Sequence, residues 1–320
     1  MLQALVCEKI RLGGRVMSES YVYFNGKIVK EEDASIGIRS KAFNYGLGCF
    51  EGIRAYWDEK DGQLYGFRLH EHYERLLDSC KTLNINIDYT VQDLVDITVE
   101  LLKKNNFKSS TYIRPVAYKG SNQLFPTLMD DDNRLLIYCQ PLGDFAGKES
   151  FKVCISSWRR MTDNMIPPRV KPTGGYINSA LASLEALQNG YDEAILLTDS
   201  GNICEGPGEN LFIVKKGKLI TPPPSDNILE GITRDTVMLL AKEEFGIEVE
   251  QRSFSRVELY TADEAFFSGT AMEVTPVVEV DNRLIGNGEP GQVCRKIKGK
   301  FFDITCGKIE KYKKFCTPVY

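Results

Sequence analysis

Histidine is the scarcest chemistry-bearing residue in this chain of 320 residues, occurring only as His70 and His72. A zinc site of the Cys/His kind has little to draw on, the more so because the nine cysteines include no Cys-x-x-Cys pair. The cysteine count is odd, and several thiols sit inside apolar runs, as Cys139 does after Leu135-Leu136-Ile137-Tyr138 and Cys154 after Phe151-Lys152-Val153. They read as buried thiols of a reducing cytoplasm, not as a disulfide framework. No apolar run approaches the roughly 20 residues that a membrane helix needs. A basic stripe and an acidic tail are both missing: 40 basic and 44 acidic residues are dispersed along the chain and leave a net charge of −4, which argues against nucleic acid as a partner. Residues 1–16 lack the apolar core of a secretory signal and read as an extension outside the domain sequence, which begins at Met17.

What is present is enough to build a substantial core: 42% of the residues are apolar and 26% charged, as expected of one or two domains at this length. Asn25-Gly26 between Tyr21 to Phe24 and Lys27 to Val29 predicts a two-residue hairpin, and Lys216-Gly217 predicts another. Helical spacing appears at Tyr73, Leu76, Leu77, Cys80, then from Val91 to Leu102, from Ile177 to Leu184, and at Val237, Leu240, Ala241. Strands are expected at Tyr112 to Tyr118, Leu135 to Gln140, Phe151 to Ser157, Glu193 to Thr198 and Ala265 to Ser268, which makes a mixed α/β chain and not a βαβ repeat. Turn-forming residues at 141–150 suggest a linker between a domain at 17–140 and a second at 151–320.

Lys171 stands in Pro167-Pro168-Arg169-Val170-Lys171-Pro172-Thr173-Gly174-Gly175-Tyr176, where proline and glycine on both sides forbid a helix through it. It therefore sits on a shaped loop that leads into a helix near Tyr176. Glu205 follows 34 positions later in Cys204-Glu205-Gly206-Pro207-Gly208-Glu209-Asn210. Gly231-Ile232-Thr233-Arg234 and Ser268-Gly269-Thr270-Ala271 each put a glycine and a hydroxyl at a helix start or strand end, where backbone N–H groups can receive a phosphate. Singly these segments are weak.

Together with Tyr45-Gly46, Phe50-Glu51-Gly52-Ile53-Arg54, Phe67-Arg68, Glu71-His72 and Tyr112-Ile113-Arg114-Pro115, they resemble the branched-chain aminotransferases, within the class IV pyridoxal-phosphate enzymes, from about Tyr21 onward. That resemblance implies fold type IV, a small N-terminal α/β domain and a larger C-terminal pseudo-barrel α/β domain. It implies pyridoxal 5'-phosphate bound covalently by Lys171, which then serves as acid and base, with Glu205 facing the pyridine nitrogen. Arg68, Ile232, Thr233 and Thr270 would hold the phosphate, and Tyr176 the phenolic oxygen. The substrate pocket would comprise Tyr45, Phe50 and Tyr112, with the Thr270-Ala271 turn on the α-carboxylate and Arg114 on the distal carboxylate of glutamate. The implied reaction moves the amino group of leucine, isoleucine or valine to 2-oxoglutarate by a ping-pong course. Small amino and 2-oxo acids would be the only ligands besides the cofactor, in a cytoplasmic homodimer or higher homo-oligomer whose neighbouring subunit closes the pocket. Leu142 and Phe145 depart from a tryptophan and a tyrosine common in bacterial relatives, and Asn44 from a histidine, which leaves the width of the side-chain pocket open. A D-amino-acid aminotransferase, an aminodeoxychorismate lyase and a non-catalytic cofactor-binding protein are the alternatives.

Overall fold

The computed structural model describes residues 20–143 and 145–320. The expected extension 1–16 and the expected start at Met17 lie outside the described residues. The chain builds two mixed sheets with helices packed on them, the α/β class expected. The first sheet contains β1 (Tyr21–Phe24), β2 (Lys27–Lys30), β3 (Gly48–Phe50), β4 (Ile53–Asp58), β5 (Gln63–Phe67), β6 (Thr111–Lys119) and β7 (Asn133–Pro141). The second contains β8 (Phe151–Arg159), β9 (Glu193–Leu197), β10 (Asn210–Lys215), β11 (Lys218–Thr221), β12 (Val249–Gln251), β13 (Glu264–Gly269), β14 (Glu273–Val280) and β15 (Arg283–Leu284). The second sheet runs β12-β11-β10-β13-β14-β8-β9 and curls into a half-barrel. A last strand, β16 (Cys316–Pro318), returns to the first sheet, pairing Cys316 with Phe67 to give the order β16-β5-β4-β6-β7-β1-β2.

Both expected hairpins form for the expected reason. Asn25 and Gly26 take φ of 49° and 90°, and Lys216 and Gly217 take 51° and 76°, the left-handed pair that matches the twist of the flanking strands. The helices are α1 (Lys41–Tyr45), α2 (Leu69–Thr82), α3 (Val91–Asn105), α4 (Tyr176–Gln188), α5 (Ile232–Phe245), α6 (Arg256–Tyr260) and α7 (Gln292–Thr305). Thr90 and Asp93 close a capping box at the start of α3. The inner faces of α2 and α3 bury Leu69, Tyr73, Leu76, Leu94 and Leu101 against Ile53, Ile113 and Ile137 of the first sheet. A separate apolar cluster joins the two sheets: Tyr56 and Phe67 of the first meet Phe301 of α7 edge-on, at 6.3 and 5.6 Å between ring centres, in the same cluster as Phe212 and Phe266 of the second. This shared core fixes the two sheets relative to one another and so fixes the cleft between them.

The loop that carries Lys171 is docked on β3. The Phe50 N–H donates to the Lys171 carbonyl at 3.0 Å, and the Thr173 N–H donates to the Gly48 carbonyl at 2.9 Å. Gly46 allows this approach. Its φ is 65°, and a Cβ there would stand 2.8 Å from the Gly174 Cα, with no flexible side chain to move aside. Gly46→Ala is therefore expected to lower stability by ~1–3 kcal/mol through strain and backbone displacement. Thermal unfolding of the variant checks this, and an unchanged midpoint would show that the loop does not sit against Gly46.

Candidate active site

A cavity of about 440 Å³ opens between the two sheets, and ten of the twelve residues expected at the site line it. Lys171 reaches in from its loop, with Nζ 5.3 Å from the Phe50 ring centre and 5.4 Å from that of Tyr176. The Phe50 and Tyr176 rings lie 4.8 Å apart, so the lysine stands over an aromatic corner. Tyr176 opens α4, and the helix begins only after Pro172 and the two glycines release the chain.

Glu205, almost fully buried, also lines the cavity. Its Oε1 lies 2.7 Å from Arg160 Nη2, while Oε2 accepts from Asn210 Nδ2 at 2.8 Å and from the Leu229 N–H at 3.1 Å. Burial pushes the carboxyl up from its ordinary range, and Arg160, the Leu229 N–H and Lys171 oppose that shift. Arg160 was not foreseen from the sequence. It stands just past the end of β8 and holds Glu205 at the edge of the cavity. Glu209 is a second buried carboxyl in the lining, accepting the Gly208 N–H at 3.0 Å, and burial followed by Glu193 raises its pKa well above the usual value.

An anion seat lies along the same wall. α5 begins at Ile232 behind Gly231, a residue with no side chain to cap the first N–H groups, so Ile232 and Thr233 present the positive end of the helix dipole to the cavity. Thr270 and Ala271 sit on the turn between β13 and β14, beside Ser268, whose buried hydroxyl has no hydrogen-bond partner among the described residues.

Arg68, expected beside this seat, does not line the cavity. Its backbone is left-handed at the N-cap of α2, and its guanidinium is spent on Glu71 at 2.7 Å, Asp235 at 2.7 Å, the Thr236 hydroxyl at 3.0 Å and the Phe315 ring. The cation that α2 contributes to the cavity wall is Arg75, two helical turns further along. Arg75 is aimed by Glu51 through a two-pronged pair, Nε to Oε1 at 2.7 Å and Nη2 to Oε2 at 2.8 Å, and its Nη1 donates to the Glu230 carbonyl at 2.6 Å. The same Oε2 of Glu51 meets His72 Nδ1 at 2.8 Å. Glu51 is fully buried; burial alone would raise its carboxyl, but Arg75 and His72 hold it well below the usual range. Burial dominates at His72 and keeps it neutral by lowering its pKa.

Tyr45 does not line the cavity either. It ends α1 half-exposed, with its hydroxyl donating to the Leu124 carbonyl, because α1 is turned toward the 121–126 loop and away from the cleft. Tyr112 and Arg114 are together as expected: Arg114 Nη2 donates to the Tyr112 hydroxyl at 2.6 Å, and its guanidinium carbon lies 4.2 Å from the Phe50 ring centre. Gly52 makes room for this pair, since a Cβ there would stand 2.5 Å from the Tyr112 hydroxyl. Phe145 reaches the cavity from the 141–150 segment.

Residues 48–280 match the family model for amino-transferase class IV. A protein of Aquifex aeolicus (strain VF5) described as "Probable branched-chain-amino-acid aminotransferase" is 50% identical over 304 residues, spanning 95% of this chain and 98% of that one. The branched-chain aminotransferase of Thermoproteus uzoniensis, solved with norvaline, superposes with a TM-score of 0.91 at 44% identity, covering 95% of this chain and 100% of that one. The branched-chain amino acid aminotransferase of Thermobaculum terrenum, solved in its PLP-form, does so with a TM-score of 0.91 at 38% identity, covering 94% of this chain and 99% of that one.

The Glu51 cluster makes stability sensitive to acid. Glu51 has a folded pKa below its unfolded one, so its contribution is complete above the ordinary carboxylate pKa of 4.5 and is lost as pH falls toward the folded value. His72, favoured neutral in the fold, adds a loss that begins as pH drops through its ordinary value of 6.5. Glu51→Gln is expected to cost ~3–5 kcal/mol at neutral pH, because it leaves Arg75 buried without its counter-charge, and to flatten the acid limb. Denaturant melts of both proteins between pH 3 and pH 8 test this, and parallel curves would exclude the assignment.

Proposed function

The chain belongs to the class IV amino-transferase family, and we propose that it moves the amino group of leucine, isoleucine and valine to 2-oxoglutarate in two successive half-reactions. Branched-chain transamination with pyridoxal phosphate is the activity that this membership carries. The acceptor, the two-stage course and the residue roles are our reading, and one arrangement carries it: a lysine amine and a buried carboxylate line one cavity whose wall also holds a ready-made anion seat.

The residues fit the cofactor. Arg75, the uncapped start of α5 at Ile232 and Thr233, and the Thr270 turn suit a doubly charged phosphate, and the Ser268 hydroxyl offers one more polar atom beside them. Arg75 takes the phosphate role first expected of Arg68. When bound, pyridoxal phosphate supplies an aldehyde that takes up the amino group and a protonated ring that draws electrons from the substrate Cα. Glu205, paired with Arg160, would meet the ring nitrogen. Tyr176 is placed to donate to the phenolic oxygen. The Lys171 amine would hold the cofactor and would serve as the base for the substrate Cα proton.

Phe50 and Tyr112 form the apolar wall for an aliphatic side chain, and the Thr270-Ala271 turn seats the α-carboxylate. Arg114, held by Tyr112 behind Phe50, gives the γ-carboxylate of glutamate a charge partner that an aliphatic substrate leaves untouched. This pairing favours a branched-chain enzyme over the D-amino-acid aminotransferase and lyase alternatives. A homo-oligomer is supported by an exposed apolar face of Ile36, Ile38, Phe43, Leu124, Phe125 and Met129. Tyr45 stands on that face and is placed to serve a neighbour's cavity in place of its own.

Lys171→Ala is expected to abolish the full cycle, and Arg75→Ala to weaken cofactor affinity by at least about tenfold while Arg68→Ala acts mainly on stability. Borohydride labelling, a cofactor-binding titration and a half-reaction assay with L-leucine, D-alanine and aminodeoxychorismate read these outcomes. Conversion by D-alanine but not L-leucine, or labelling at another residue, would overturn the reading.

A further inference from the structure

The turn that seats the α-carboxylate is built against conformational preference. Gly269 pairs with Glu273 across the β13–β14 hairpin, so the loop has three residues, Thr270 to Met272, and the residue that closes it must be left-handed. Glycine is the natural occupant of that position. Here it is Glu273, with φ of 54°, a conformation a long side chain adopts only when its surroundings compel it.

The side chain that leaves this left-handed position is met by Arg54. This arginine projects from β4 in the first sheet and is 6% exposed. Its Nη1 lies 3.3 Å from Glu273 Oε1, and its Nη2 donates to the Leu142 carbonyl at 3.2 Å and the Gly143 carbonyl at 2.9 Å. The Tyr56 ring lies 5.3 Å from the Arg54 guanidinium carbon, and the Tyr56 hydroxyl hydrogen-bonds Glu273. One guanidinium thus joins three elements of the cleft: the first sheet, the segment that brings Phe145 into the cavity, and the start of β14 immediately after the turn. Arg54 and Glu273 line a second cavity of about 1080 Å³, and Met272 lines both that one and the first.

We propose that the Arg54–Glu273 pair is a positioning device for substrate, holding the Thr270-Ala271 N–H groups and the Leu142 and Gly143 carbonyls in register so that the α-carboxylate is received in a pre-set geometry. Neither residue lines the cavity that holds Lys171 and Glu205. The inference rests on the seat assigned to that turn under the proposed function.

The test uses cofactor-loaded Glu273→Gln, Glu273→Gly and Arg54→Lys proteins. Two readouts are taken: KM and kcat for L-leucine and 2-oxoglutarate, and the Kd of 4-methylvalerate, a carboxylate with a branched tail and no amine, from the change in cofactor absorbance. Misplacing the turn should raise KM and Kd by about tenfold in Glu273→Gln, while kcat and cofactor affinity stay within about twofold of the parent. Glu273→Gly should show the same rise although it relieves the left-handed strain, so it keeps the test open if the glutamine variant folds poorly. Arg54→Lys, which retains charge but loses the two-pronged hold on the linker carbonyls, should fall between. Unchanged KM and Kd in both Glu273 variants would overturn the proposal, as would kcat, cofactor affinity and melting temperature falling together. If the parent binds 4-methylvalerate and the variants lose it, yet none transaminates L-leucine, the functional reading fails and the clasp stands.

Discussion

Behind the wall of this cleft a carboxylate with no access to water is buried, and it is tolerable because Arg75 meets it with a two-pronged charge and His72 with a hydrogen bond. Glu51 is surrounded by β3, β4 and α2, and without Arg75 and His72 it would be an uncompensated buried charge of the kind folds avoid. The arrangement has a geometric by-product. Because both forks of the Arg75 guanidinium that face Glu51 are engaged, the arginine cannot swing, and its remaining edge is presented to the cavity beside Glu230 and the start of α5. The ion pair that makes the core self-consistent is the one that holds a cation against the anion seat.

Phe50 to Arg54 are five consecutive residues with five separate tasks. Phe50 is a wall and supports the lysine, Glu51 aims a cation, Gly52 clears space for the Tyr112 hydroxyl, Ile53 packs in the core, and Arg54 fastens the Leu142 and Gly143 carbonyls and the second sheet. The alternation of a strand distributes these tasks, because successive side chains leave the backbone on opposite faces and can serve a cavity and a core at once.

How much of this was legible depended on whether the signal was local. Proline, glycine and hydroxyl residues drew notice to Lys171, Glu205, the α5 start and the Thr270 turn, and the family resemblance supplied their roles. Arg68 and Arg75 show where that logic ends: both are cations near the start of one helix, and only the tertiary structure assigns one to Asp235 and the other to the cleft. A clue existed, since His72 and Arg75 are three apart and share a face of α2, whereas Arg68 precedes the helix. The strands β4 and β5 escaped notice because β4 is buried on both faces and shows no alternation. Pro276 disguised β14, although it pairs with Phe266. The spacing Cys294, Ile297, Phe301, Ile304 does mark α7, hidden among Arg295, Lys296, Lys298 and Lys300 in the same stretch.

The return of β16 to the first sheet has a bearing on synthesis. Its partners at Tyr65 to Phe67 leave the ribosome about 250 residues before it does, which at ~5–20 residues per second is a wait of roughly 10–50 s. Throughout that interval the outer edge of β5 offers unpaired N–H and C=O groups, the kind of edge that recruits stray strands. The amino-terminal half of the nascent polypeptide must therefore either be shielded during elongation or finish its sheet last, after the half made later is already folded.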